Sequence, residues 1–329
     1  MPVPLSIIMT VRNGERYLNQ AILSLLGQTY GDFELIVVND GSTDNSLELV
    51  KSFVDARLCV ISFDEPIGRT PALNAAFISA QGDLVAVQDA DDFSLSDRLQ
   101  KQVSFLHGRP EITLVGTWAE YISEDGKFVD VYRTPAAHSD IIQASWQFNP
   151  FPHSTVMYRR EPVVNMGGYP SDFIYAQDFA LWLRIMRRYQ TANIPEMLVK
   201  IRVHPDQMGQ AQEHSVTRDK ELFHLLGLAI RHPDLADTPG IPSSIKAGII
   251  RAQSLSRQHR HPEALVVLGR SCLLNRHLWR SIRSYFRPFI RAALGPAGTH
   301  MAVRTIRSLE RIRRAQDRTK LKPSSPYEV

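Results

Sequence analysis

The sequence predicts an α/β protein, with a mostly parallel central sheet flanked by helices and then a helical C-terminal extension. Three observations predict it. The first ninety residues alternate short apolar runs with stretches of helical spacing. The apolar runs end in polar or acidic residues rather than in more core. The charge also breaks sharply: residues 1–214 carry 17 Lys and Arg against 26 Asp and Glu, a net −9, and residues 215–329 carry 21 against 8, a net +13. An acidic body followed by a basic tail predicts two segments with two jobs.

The elements follow in order. Residues 5–10 (LSIIMT) are too short for a helix and rich enough in Ile to be a buried strand. Arg12-Asn13-Gly14 breaks that run, and from Glu15 the apolar residues Leu18, Ile22, Leu25 and Leu26 recur at helical spacing. A second strand over 33–38 ends at Asn39-Asp40-Gly41-Ser42. A helix over about 43–54 follows, opened by a Ser-Thr-Asp cluster that suits an N-cap. Residues 58–63 are a third strand, 71–80 a helix and 84–88 a fourth strand. Further on, 97–106 reads as a helix, 114–121 and 127–132 as strands joined by Glu124-Asp125-Gly126, and 147–152 as irregular chain. A strand over 154–158 and a helix over 177–188 come next, and the pattern beyond Met208 is helical. The tail over 320–329 is polar and expected to be disordered.

Strands alternating with helices argue for a parallel sheet covered on both faces. Right-handed crossovers then bring the C-terminal strand ends to one edge, where open α/β sheets bind ligands. On that edge the sequence gathers Thr10 to Asn13, Asp40-Gly41-Ser42, Asp64-Glu65 and Asp89-Ala90-Asp91-Asp92.

Several classes are excluded or disfavoured. Cys59 and Cys272 are far apart, which argues against a disulfide framework or thiolate zinc site and fits a reducing cytosol. No secretory signal is expected at the N-terminus, and no run reaches the roughly 18–20 apolar residues of a spanning helix. No GxGxxG follows the first strand, and no P-loop, HExxH or GxSxG motif occurs.

The carboxylates of Asp89, Asp91 and Asp92 repel one another, so gathering them at the end of an apolar strand asks for a compensating cation. Mg²⁺ or Mn²⁺ suits oxygen ligands combined with substrate phosphates. The plain alternative is a solvated turn in which Asp92 or Ser94 caps the next helix. The Asp40-Gly41-Ser42 turn is open to two readings. It is a turn and helix cap, or Asp40 accepts a base N–H while glycine lets the ligand approach. Asn13 and Glu15 share that ambiguity. Arg69 can serve a ligand phosphate or pair with Asp64 or Glu65, and Asp178 can be a first-turn acid favoured by the helix dipole. His153 and His204, taken singly, read as ordinary polar residues.

PLSIIMTVRNGERYLNQAILSLLGQTYGDFELIVVNDGSTDNS, then GRTPALNAAFISAQGDLVAVQDADD, NPFPHSTVMYRR, MGGYP, YAQDFALWLRI and IRVHPDQMG, together closely resemble the family 2 glycosyltransferases of the GT-A fold. The likeness runs over residues 3–209. It implies a GT-A domain over 1–214, with a nucleotide-binding half over 1–95 and an acceptor-binding half over 96–214, and leaves 215–329 as a basic helical region. By resemblance Thr10, Arg12 and Glu15 line the nucleotide pocket and Asp40 contacts the base with Ser42 beside it, while Arg69 is a candidate to steady the leaving diphosphate. Asp89 and Ala90 meet the ribose and sugar-nucleotide, Asp91 holds the metal, and His204 lies near that metal or the leaving diphosphate. Asp178 falls at the catalytic-base position, although Gln177 stands where the family usually has glutamate.

The resemblance implies inverting transfer from a nucleoside-diphosphate sugar, UDP-linked by default, to a glycan or lipid-linked hydroxyl acceptor. It points to cell-surface polysaccharide or glycolipid synthesis with Mn²⁺ or Mg²⁺. In the tail, Trp279, Ile282, Tyr285, Phe286, Phe289 and Ile290 interleave with Arg280, Arg283, Arg287 and Arg291. Such a helix can lie on an anionic membrane or pack on the catalytic domain. The expected location is therefore the cytoplasm, with peripheral attachment to its membrane face; no nucleic-acid motif accompanies the arginines. The rivals are a sugar-phosphate nucleotidylyltransferase, which lacks its glycine-rich basic loop here, and a non-catalytic sugar-nucleotide or glycan-binding module.

Overall fold

A computed structural model describes residues 4–145, 148–205 and 207. The predicted helices and tail of 215–329 lie outside the described residues. In chain order the elements are β1 (Leu5–Val11), α1 (Glu15–Leu26), β2 (Glu34–Asp40), α2 (Ser46–Ser52), β3 (Leu58–Phe63), α3 (Arg69–Ser79), β4 (Leu84–Val87) and β5 (Phe93–Ser94). They continue as α4 (Arg98–His107), β6 (Ile112–Ile122), β7 (Phe128–Tyr132), α5 (His138–Ala144), a 3₁₀ turn (His153–Thr155), β8 (Met157–Arg159), α6 (Arg160–Asn165), α7 (Gln177–Met186) and β9 (Gln190–Arg202).

The strands form one sheet in the order β3-β2-β1-β4-β8-β6-β9-β5, with β7 also on β6. The first four strands pair in parallel, as the alternation predicts. The sheet then turns mixed, because β8 enters antiparallel between β4 and β6. Both faces of the parallel half are apolar, and the period of two divides them. Ile7, Met9, Leu35, Val37, Leu84 and Ala86 face α1 and α4 with Leu18, Ile22, Leu99 and Val103. Ile8, Ile36, Val38, Val85 and Val87 face the other way, onto Leu73, Phe77, Trp182 and Ile185 of α3 and α7. Each such side chain contributes about 1.5–3 kcal/mol when fully buried.

Three local expectations shift. Helix α2 starts at Ser46 rather than near Thr43. The Asp44 carboxylate takes the amides of Glu15 and Ser46, and Asn13 Oδ1 takes that of Thr43, so the backbone there is already satisfied outside a helix. The strand expected over 154–158 begins instead as the 3₁₀ turn, and β8 starts at Met157. Strand β9, thirteen residues long, was not legible in the sequence. Its register against β6 jumps from Thr117↔Ile194 to Trp118↔Met197. Pro195 and Glu196 therefore form a bulge, where a residue without an N–H is tolerated and the strand's alternation is broken.

Candidate active site

The parallel strands deliver their ends to one edge, and short polar bonds then join those ends. After β1, Asn13 adopts a left-handed conformation (φ 52°) and Gly14 follows. A Cβ at Gly14 would lie 2.8 Å from Val11 Cγ2 and 3.9 Å from the Cβ of Ala90, so the loops after β1 and β4 are near neighbours. Asn13 N–H donates to Ser42 Oγ at 3.1 Å, and Gly14 N–H to Ser46 Oγ at 2.9 Å. Glu15 accepts from the Asn45 amide at 2.9 Å and from its side chain at 2.8 Å, which turns the carboxylate toward the loop before α2. Thr10 is nearly buried at the strand end, and Arg12 is exposed beside it.

Asp40 is 4% exposed, and its carboxylate accepts Ile67 N–H at 2.6 Å and Gly68 N–H at 3.1 Å. The glycine beside it, at φ 60°, lets the following loop approach closely. A Cβ on Gly41 would fall 2.5 Å from Pro66 N, so residues 64–68 pack directly over it. The same bonds fix the start of α3, whose first residue is Arg69.

Arg69 does not pair with Asp64 or Glu65. Its Nη2 donates to Asp89 Oδ1 at 2.5 Å. Burial works against its positive charge, but Asp89, Asp91 and Asp178 together outweigh that and raise its pKa. One guanidinium thus answers three acids drawn from two distant parts of the chain. Nδ1 of His153 reaches the same Asp89 oxygen at 2.8 Å. The Asp89 N–H donates to Ser154 Oγ at 3.0 Å, and the Ser154 hydroxyl donates to Asp92 Oδ2. Asp92 Oδ1 accepts Arg202 N–H at 2.9 Å, while Arg202 Nε donates to the carbonyl of Asp91 at 3.1 Å. Beyond the end of β9, His204 Nε2 meets Asp91 Oδ2 at 3.0 Å, its ring 5.1 Å from that of Tyr17.

The three carboxylates of Asp89, Asp91 and Asp92 have oxygens within 4.8 Å of one another. Their environments differ. Burial opposes ionisation of Asp89, but Arg69 and His153 overcome it and hold its pKa far below the usual range. Burial first, then Asp91 and Asp89, push Asp92 well above that range. Asp91 remains half-exposed with only Oδ2 committed to a side chain among the described residues. That oxygen-rich donor set, with an imidazole beside it, fits a hard divalent ion. His204 Nδ1 is buried with no partner among the described residues.

Asp178, in the first turn of α7, is half-buried and accepts Asn149 Nδ2 at 3.0 Å. Burial raises its pKa, against the opposing pull of His153, the Phe179 N–H and Arg69. Arg69, Asp89, Ala90, Asp91 and His204 therefore share one neighbourhood with Asp178 at its margin, and Thr10, Arg12, Glu15, Asp40 and Ser42 line the adjoining strand ends. Asn149, Ser154 and Arg202, which the sequence did not single out, complete it together with His153, which the sequence read as an ordinary polar residue and which is 8% exposed and bonded to Asp89. The NPFPHST run held the signal, but nothing in spacing ties residue 153 to residue 89.

The model of the family described as "Glycosyl transferase family 2" matches residues 6–168. The amylovoran biosynthesis glycosyltransferase AmsE of Erwinia amylovora is 31% identical over 231 residues, 69% of this chain and 86% of AmsE. The fold is shared with S. aureus TarS 1-349 in complex with UDP-GlcNAc, at TM-score 0.62 and 17% identity, covering 89% of this chain and 92% of that one. It is shared also with the mannosyltransferase PcManGT from Pyrobaculum calidifontis in complex with GDP-Man and Mn²⁺, at TM-score 0.54 and 20% identity, covering 94% and 80%. The mixed sheet with flanking helices is that of the GT-A glycosyltransferases, and this chain belongs to glycosyl transferase family 2.

Proposed function

We propose that this glycosyltransferase moves a sugar, with inversion, from a nucleoside-diphosphate donor to a hydroxyl of a glycan or lipid-linked acceptor. The observation that carries the reading is the cluster of Asp89, Asp91 and Asp92, with oxygens within 4.8 Å of one another, Arg69 paired to Asp89 and His204 to Asp91. A cation held among acids beside a half-exposed aspartate is what a diphosphate and its metal require. The complexes of TarS with UDP-GlcNAc and of PcManGT with GDP-Man and Mn²⁺ support a nucleotide-sugar donor, and UDP is the first to test. The name of AmsE supports a role in surface polysaccharide synthesis.

Residues 1–95 form the donor half and 96–214 the acceptor half in this reading. Asp91 and His204 would hold Mn²⁺ or Mg²⁺, which when bound offsets charge on the leaving diphosphate. Asp89 and Ala90 face the ribose and sugar-nucleotide. Thr10, Arg12, Glu15, Asp40 and Ser42 border the nucleotide, with Asp40 held ready as an acceptor by the loop before α3. Asp178 takes the proton of the acceptor hydroxyl while that oxygen bonds to the anomeric carbon and the carbon–oxygen bond to the diphosphate breaks. A raised pKa makes Asp178 a better base than an exposed aspartate, and Asn149 fixes its orientation.

Asp178→Asn is expected to lower transfer by about 10²–10⁴-fold, the usual weight of a general base. Nucleotide affinity by calorimetry should stay within about threefold, since the Asp178 side chain hydrogen-bonds to Asn149 and not to a residue of the nucleotide pocket. Unchanged turnover removes Asp178 from the role. Asp91→Ala should instead weaken UDP binding in Mn²⁺ and leave the weaker binding in its absence unaltered.

A further inference from the structure

Asp89 is gripped at two points by two consecutive residues. His153 takes the side chain and Ser154 takes the backbone N–H, and the Ser154 hydroxyl then engages Asp92. These residues open the 3₁₀ turn, and Thr155, the third of that turn, anchors it through its carbonyl, which accepts Gln102 Nε2 of α4 at 2.9 Å. Ser154 and Thr155 are almost wholly buried, so the turn has little freedom. Asp89 and Asp92 are committed to the turn while Asp91 is not.

The imidazole's protonation pattern follows from its neighbours. Nδ1 lies 2.8 Å from an oxygen of Asp89, which can only accept. Arg69 Nη2 is 3.3 Å from the same nitrogen but can only donate, so both donors converge on Asp89 Oδ1. On the far side Nε2 lies 3.4 Å from the hydroxyl of Tyr169, and the ring sits 6.3 Å from Trp182. One nitrogen must donate, and the other faces a hydroxyl able to donate to it.

We propose that His153 and Ser154 form a clasp that positions the acidic cluster, with His153 in the Nδ1–H form holding Asp89 and Ser154 diverting Asp92, so that of the three acids only Asp91 is left for the metal beside His204. His153 is a positioning residue on this account and touches neither sugar nor acceptor. The proposal rests on the donor-site reading above and adds to it the device that sorts three adjacent aspartates into different duties.

Two measurements test it on the full-length chain. In the free protein, ¹⁵N-histidine correlation spectra should show His153 protonated on Nδ1 and bare on Nε2; the opposite tautomer overturns the clasp. Calorimetry with UDP and Mn²⁺ should show His153→Ala binding about tenfold or more weakly, the scale of one lost hydrogen bond to a charged group. His153→Asn, whose amide nitrogen falls close to the place of Nδ1, should restore binding to within about threefold. Equal weakness of the Asn and Ala variants, both folded by circular dichroism, also overturns it. The tautomer needs no donor, so it still decides the clasp should the wild-type chain fail to bind UDP, an outcome that counts against the donor reading alone.

Discussion

Asp92 lies beside two other aspartates, and its surroundings oppose its charge. Burial, Asp91 and Asp89 all raise its pKa, against donors from Ser154 and Arg202. The folded-state pKa therefore exceeds the unfolded one. Stability linked to this group is complete below the ordinary aspartate range and is lost as pH rises through the raised value. Asp92→Asn, which stays neutral, should raise the urea midpoint of the metal-free protein at neutral pH, and the gain should vanish as pH falls below the ordinary carboxylate range. A gain independent of pH would mean that charge is not the cause. Residue identity alone did not reveal this sorting. Three aspartates within four positions announced a site, whereas their separate fates depend on His153, Ser154, Arg69, Arg202 and His204, which sit 20 to 113 positions away in the chain from the acids they touch.

At the scale of elements, the legible ones carry their own signals. The strands β1, β2 and β4 are buried on both faces and read as continuous apolar runs, and α1 and α7 show their apolar faces at helical spacing. Strand β9 did not, because a bulge at Pro195 interrupts its pattern and much of its pairing is with β6, far back in the chain. Yet β9 carries Arg202 and leads to His204, so half of the grip on the acidic cluster rests on an element invisible to periodicity. Gly116 shows how closely that region is packed: a Cβ there would stand 2.2 Å from Asn193 Oδ1 and 2.7 Å from a ring carbon of Phe151. Gly116→Ala should destabilise the fold by about 1–3 kcal/mol, the usual range for overpacking, read from urea denaturation with an unchanged m-value. The same substitution at Gly126, where nothing lies within 4 Å but φ is +82°, isolates backbone strain from packing.

For the whole molecule, the division of charge is the feature without a counterpart in the described structure. No helix among the described residues is long and apolar enough to cross a membrane. Residues 215–329 carry a net +13 and lie outside the described residues. An acceptor held in a lipid surface gives such a segment a use, since each basic residue near an anionic surface adds about 1 kcal/mol of attraction. Full-length protein should pellet with vesicles containing anionic phospholipid and lose this in moderate salt. A truncation near residue 275 should stay in the supernatant; equal pelleting of both forms assigns the arginines to packing or solvation instead.

The parallel half of the sheet and the edge at which it gathers Asp40, Asp89 and Asp91 were present in linear order, because burial on both faces writes itself as uninterrupted apolar runs and a crossover rule converts order into position; Asp178 and His204 entered through the family resemblance alone. Tertiary structure alone decided which acid meets which donor. Hydrogen-bond partners are chosen by distance in space, and the pairs that matter here, Arg69 with Asp89, His153 with Asp89, Arg202 with Asp92 and His204 with Asp91, join segments whose separation in sequence carries no trace of their contact.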